Sequence, residues 1–176
     1  ATGPIINEVE KRIKKVQSDD FALDMQSLNR KMHLIASMKK RQEQYIIALI
    51  LTKDRKIQQE IFEKIEINDI IDENVKKIYA FILKLKDEVD INKIDILSKV
   101  EDEEMIKELT DIMYLDISDV DKTKLLNDVL KNKNKEKLYL RRDEILKRLD
   151  LDITQDEKEI LKLELNQIIL ELSKLK

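Results

Sequence analysis

Apolar residues recur at intervals of three and four along most of the chain, which is the spacing of one face of a helix. In the first forty residues two such stripes predict two helices, with Ser18 as the N-cap of the second. The stripes consist of Ile6, Val9, Ile13 and Val16, and then of Phe21, Met25, Leu28, Met32 and Ile35. The second stripe has heptad spacing, so we expect it to pack against another helix.

The stretch RQEQYIIALIL, from Arg41 to Leu51, departs from this one-sided pattern. Its residues 45–51 are uncharged and almost all apolar, so apolar groups surround the helix on nearly every side. Such a helix belongs at the centre of a core. The run is also much shorter than the roughly 20 apolar residues that cross a membrane.

Four further helices are predicted before the end of the bundle. Asn68 and Asp69 mark a turn, and Ser118 offers an N-cap to a long helical stretch that contains no helix breaker before Asp150. The helices cover about 57–65, 72–86, 90–100 and 101–115, the last beginning with acids that suit a helix N-terminus.

The long stretch changes character in the middle. Residues 131–137, KNKNKEK, include no apolar side chain, so we interpret them as a solvated helical bridge, or a kink, that does not pack on the body. The predicted organisation is then 1–39, N-terminal helices leading into the bundle; 40–130, the helical bundle; and 138–176, a C-terminal helical hairpin. Residues 1–3 are treated as a remnant of cloning.

The last helix begins with a capping box, Thr154 and Glu157. Its apolar stripe is expected to pair back on residues 138–149 as an αα-hairpin. That stripe is formed by Leu161, Leu165, Ile168, Leu172 and Leu175. Leu163 and Leu170 lie about half a turn away, and one seam cannot bury both stripes. Either the second stripe binds a partner or the hairpin folds onto the bundle and buries it there.

Composition supports an all-α fold. The only glycine and the only proline are Gly3 and Pro4, so no helix breaker follows. The predicted architecture is a helical bundle followed by a long connecting helix and a C-terminal αα-hairpin. Cysteine is absent, which excludes disulfides and thiolate zinc sites and is compatible with a reducing compartment.

Residues that could carry chemistry are few. His33 is the single histidine, so it has no catalytic pair and no companion metal ligand of its kind. Asp150, Asp152 and Asp156 are the best candidates for a metal cluster, but we interpret them as loop and cap residues. We therefore predict no catalytic, metal or cofactor site and no enzymatic activity in this segment.

Charge is unevenly distributed although the net charge is only −3. Acids dominate residues 87–121 and bases dominate residues 131–148. These faces are either solvated helix surfaces or complementary docking surfaces. A basic helix with little aromatic content is a weak indication of nucleic-acid binding.

Several segments resemble one family in their order along the chain. Arg41–Leu51, followed by Lys53–Arg55, is similar to the core helix in the C-terminal domain of bacterial replicative DNA primase. IIDENVKKIY, Ile70–Tyr79, resembles that family's next helix, although Ile70, Glu73 and Val75 depart from its pattern. LRRDEILKRL, Leu140–Leu149, and the helix after it resemble the terminal hairpin.

The resemblance implies a non-catalytic, cytoplasmic helicase-interaction domain whose parent protein would be an RNA-synthesising primase. It would dock on the N-terminal collar of the hexameric replicative helicase and modulate priming and helicase activity. No direct nucleic-acid or membrane contact is expected, and a weak homodimer is allowed. From exposed apolar groups with neighbouring charges we predict the contact residues Tyr139, Arg142, Leu163, Ile169, Leu170 and Lys174.

Two alternatives remain open at this stage. The chain could be the N-terminal domain of a replicative helicase, or a helical loader or assembly module, because such domains share the small bundle. It could also bind single-stranded nucleic acid through its basic helix.

Overall fold

A computed structural model describes the backbone of residues 3–175 and the side chains of residues 11, 12, 15 and 18–175. Over this part of the chain the fold is all-α, as predicted, with no strand. The helices are α1 (Gly3–Leu51), α2 (Arg55–Lys64), α3 (Glu73–Glu88), α4 (Glu103–Met113), α5 (Lys122–Leu149) and α6 (Gln155–Lys174). Contacts divide the chain into two units, Ala1–Arg41 and Gln42–Lys176, which are described separately.

Helix α1 is continuous where the sequence predicted three helices. Ser18 lies inside it and is not an N-cap, so that prediction is wrong. A capping residue starts a new helix only where the preceding backbone leaves the helical conformation. Neither glycine nor proline occurs after Pro4 to end the first helix.

The first unit leaves its heptad stripe uncovered. The five side chains from Phe21 to Ile35 are 41–67% exposed. The helical partner that their spacing predicted is therefore not found in the described part of the chain. The stripe proposed for the first seventeen residues, Ile6, Val9, Ile13 and Val16, lies outside the described side chains.

The core of the second unit surrounds the end of α1. Ile46, Ile47, Leu49 and Ile50 are at most 1% exposed, which confirms that this helix segment sits at the centre of the core. Residues of α2 to α5 and their connections complete the cluster. Each buried isoleucine or leucine contributes roughly 1.5–3 kcal/mol, so this cluster is the main source of stability.

Two local predictions in the second unit are wrong because aspartates bond to nearby backbone instead. Asp121, not Ser118, caps α5, and the Ser118 hydroxyl donates to Asp116. The helix expected over 90–100 is reduced to one short 3-10 turn, Leu97–Lys99. Its backbone is diverted where Asp90 and Asp95 accept hydrogen bonds from N–H groups two residues further on.

Candidate docking surface

The C-terminal part of α5 and helix α6 form the predicted hairpin. Thr154 caps α6, with its hydroxyl oxygen accepting the Glu157 N–H at 3.2 Å. The seam has an apolar cluster of its own, separate from the main core. Its buried members are Ile145, Leu161, Ile168 and Leu172. The hairpin therefore has a small core of its own, and its stability depends on few side chains.

Ion pairs line one edge of the hairpin. The Arg141 guanidinium donates to both carboxylate oxygens of Glu164, at 2.7 and 3.0 Å, and also bonds to Glu144. The bond from Arg141 lowers the pKa of the Glu164 carboxyl. Arg148 lies 3.9 Å from Glu157 on the same edge. Exposed pairs of this kind add little stability, but their positions show how the two helices are rotated about their axes.

The opposite edge carries two exposed aromatic and aliphatic side chains. Because Arg141 and Glu164 face each other, the helical repeat directs Tyr139 and Ile169 to the other edge of the hairpin. Tyr139 is 42% exposed and Ile169 is 52% exposed. The guanidinium of Arg142 lies 4.9 Å above the centre of the Tyr139 ring, a cation–π contact. Three of the six predicted contact residues thus share this edge.

The other three lie on the outer face of α6. Leu163 is 71% exposed and Leu170 is 57% exposed, two helical turns apart on the side away from the seam. Lys174 follows Leu170 by about one turn and is also exposed. The alternative in which the hairpin folds onto the bundle and buries this stripe is not found. The predicted surface therefore consists of two patches, which we call the hairpin edge and the outer face.

The structure shows that the prediction for residues 131–137, which lie within α5, is wrong. Lys133 is 4% exposed, so this stretch does pack on the body. Its ammonium bonds to the Glu43 carboxylate, to the Asp69 carbonyl at 2.9 Å and to Glu136 at 3.3 Å. A lysine can take the place of an apolar core residue when its aliphatic stem is buried and its ammonium has three acceptors. The pattern of polar residues along the sequence does not reveal such a lysine.

Glu43 connects three parts of the second unit. Besides Lys133 of α5, it accepts the backbone N–H groups of Ile71 and Asp72, each at 2.8 Å, just before α3 begins. Lys137 pairs with Asp69 at 3.0 Å beside this network. Of the four lysines in residues 131–137, Lys133 is buried and Lys137 pairs with Asp69 while half exposed, which weakens the nucleic-acid alternative.

The other chemical candidates stay apart. Among the residues that the structure describes, no three potential ligands, Asp150, Asp152 and Asp156 included, are grouped to hold a metal. His33 is exposed. No helix within the described residues has the length and hydropathy that crossing a bilayer requires.

The hairpin presents exposed contact surfaces on one edge and on the outer face of α6. Two exposed apolar patches with adjacent cations are the form of an interface core and rim. No family model, curated protein or solved structure matches the chain.

Proposed function

We propose that this chain is a non-catalytic docking module that attaches to a partner protein through its C-terminal hairpin. The observation that supports this is the outer face of α6. Leu163 and Leu170 stay exposed although the hairpin seam is already filled. An exposed leucine forgoes roughly 1.5–3 kcal/mol of burial, and a partner can supply that burial.

Charged groups beside the apolar patches fit the same role. Lys174 is exposed next to Leu170, and Arg142 stacks on Tyr139 at the hairpin edge. Arginine and tyrosine are among the residues that carry most energy in protein interfaces. A partner with an apolar groove and acidic neighbours would suit both patches, and the charges would also speed its encounter with this chain.

The resemblance to the C-terminal domain of bacterial primase suggests which partner this is. The hairpin would attach a primase to the N-terminal collar of the hexameric replicative helicase in the cytoplasm, without a cofactor. The bundle would then contact the collar and modulate helicase and priming activity. Attachment raises the effective concentration of primase at the fork without adding any chemistry.

Leu170→Asp tests the docking surface. We expect this change to weaken binding to the N-terminal domain of the cognate helicase at least tenfold, because it places a charge in the apolar centre of the contact. The measurement is a titration by isothermal calorimetry, with circular dichroism as the check of folding. Leu170 is exposed, so the fold should tolerate the aspartate.

Leu34→Asp is the matched control, since Leu34 is 62% exposed in the first unit, outside both the bundle and the hairpin. It should bind the helicase domain like the unmodified chain. Equal binding by the Leu170→Asp variant would contradict the assignment of the outer face. Failure of the unmodified chain to bind the helicase domain would contradict the helicase as partner.

A further inference from the structure

We propose that the heptad stripe of the first unit, Phe21 to Ile35, pairs with the same stripe of a second copy of this chain as an antiparallel two-stranded coiled coil. The five side chains are spaced four, three, four and three residues apart, which is the a/d pattern of coiled coils. All five are 41–67% exposed in the single chain. This inference is independent of the proposed function.

An antiparallel pair with twofold symmetry brings each a residue opposite a d residue. One register places Phe21 opposite Met32 of the second copy and Met25 opposite Leu28 of the second copy. The symmetry repeats both layers, so four consecutive layers contain only large apolar side chains. Methionine adapts its shape to an aromatic neighbour, which suits the layers of Phe21 and Met32.

Charges beside the stripe favour this antiparallel register and favour a second copy of this chain as the binding partner. Asp24 and Lys31 occupy the same flanking heptad position, g, seven residues apart. In the antiparallel register Asp24 lies opposite Lys31 of the second copy, and the symmetry makes this ion pair twice. In a parallel dimer Asp24 would face Asn29 and Lys31 would face Ala36, so no charges would pair. A second copy thus carries the complementary charges itself.

The apolar content of the contact is adequate for a reversible dimer. In these four layers each copy removes one phenylalanine, two methionine and one leucine side chains from water, and Ile35 lies opposite Ser18 of the second copy. Leu23 and Leu34 project from other sides of the helix and stay outside the contact. They are 63% and 62% exposed, so they serve as internal controls of the same chemistry.

Sedimentation velocity over a range of concentrations tests the dimer. We expect the mass to rise from 20.9 kDa toward twice that value as the concentration increases. Leu28→Asp, in the middle of the stripe, should keep the chain monomeric, whereas Leu34→Asp should dimerise like the unmodified chain. A chain that stays monomeric at every concentration overturns the proposal. So does a dimer that survives Leu28→Asp but is lost in Leu170→Asp, because that dimer uses the hairpin.

Charge reversal tests the orientation. Asp24→Lys alone and Lys31→Asp alone should each raise the dimer dissociation constant about tenfold, because two attractive pairs become two repulsive ones. The double variant should return the dissociation constant to that of the unmodified chain. Both single effects should shrink in high salt. Single variants without effect, or a double variant that stays weak, overturn the antiparallel arrangement.

Discussion

Replacing Lys133 by methionine is expected to lower the free energy of unfolding by about 3 kcal/mol. Methionine retains the buried stem but removes the charge that neutralises Glu43, which is itself only 3% exposed. Leaving one partner of a buried pair uncompensated costs several kcal/mol. Glu43 still accepts hydrogen bonds from the N–H groups of Ile71 and Asp72. We therefore expect the loss of stability to lie toward the lower end of that range.

Urea denaturation followed by circular dichroism measures this loss. Lys131→Met is the matched control, two residues earlier on the same helix and exposed, and it should change stability by less than about 0.5 kcal/mol. Adding Glu43→Gln to Lys133→Met should recover part of the loss, because the buried negative charge is then gone. Equal effects at positions 131 and 133 would contradict a buried role for Lys133.

Replacing Ile145 by alanine is expected to open the hairpin while the bundle stays folded. Ile145 is fully buried in a cluster with only three other buried residues. Truncating a buried isoleucine to alanine costs roughly 2–5 kcal/mol, a large share of what so small a core can supply. The main core contains none of these four residues, so the loss should stay local.

Hydrogen exchange measures the local opening. Amides of α6 should lose protection in Ile145→Ala, while those of α3 should keep theirs. Leu146→Ala, 46% exposed and next in sequence, should leave both unchanged. A uniform loss of protection in α3 and α6 would contradict an independent hairpin core. If the proposed function is correct, Ile145→Ala should also lose helicase binding, since both patches depend on the pairing of α5 with α6.

The six predicted contact residues lie on two different surfaces of the hairpin, and the sequence pattern distinguished only one of these surfaces. Helical spacing alone separated Leu163 and Leu170 from the α6 seam, and they are exposed as expected for a leftover stripe. Helical spacing could not show that Tyr139 and Ile169 share an edge of the hairpin. That depends on how two helices rotate about their axes, which ion pairs such as Arg141 with Glu164 report only in the folded hairpin.

The sequence by itself determined the all-α class, the buried core segment at the end of α1 and the capped hairpin, because periodicity and caps act within a few residues of chain. Tertiary structure alone decided that Lys133 is buried, whereas the continuity of α1 agrees with the absence of glycine and proline after Pro4, which the sequence itself shows. Lys133 meets Glu43 across 90 positions, a distance over which polarity along the chain gives no information. Ser18 has a side chain that can cap a helix, but α1 continues through it. No helix N-terminus with free N–H groups therefore lies at Ser18 for its hydroxyl to bind.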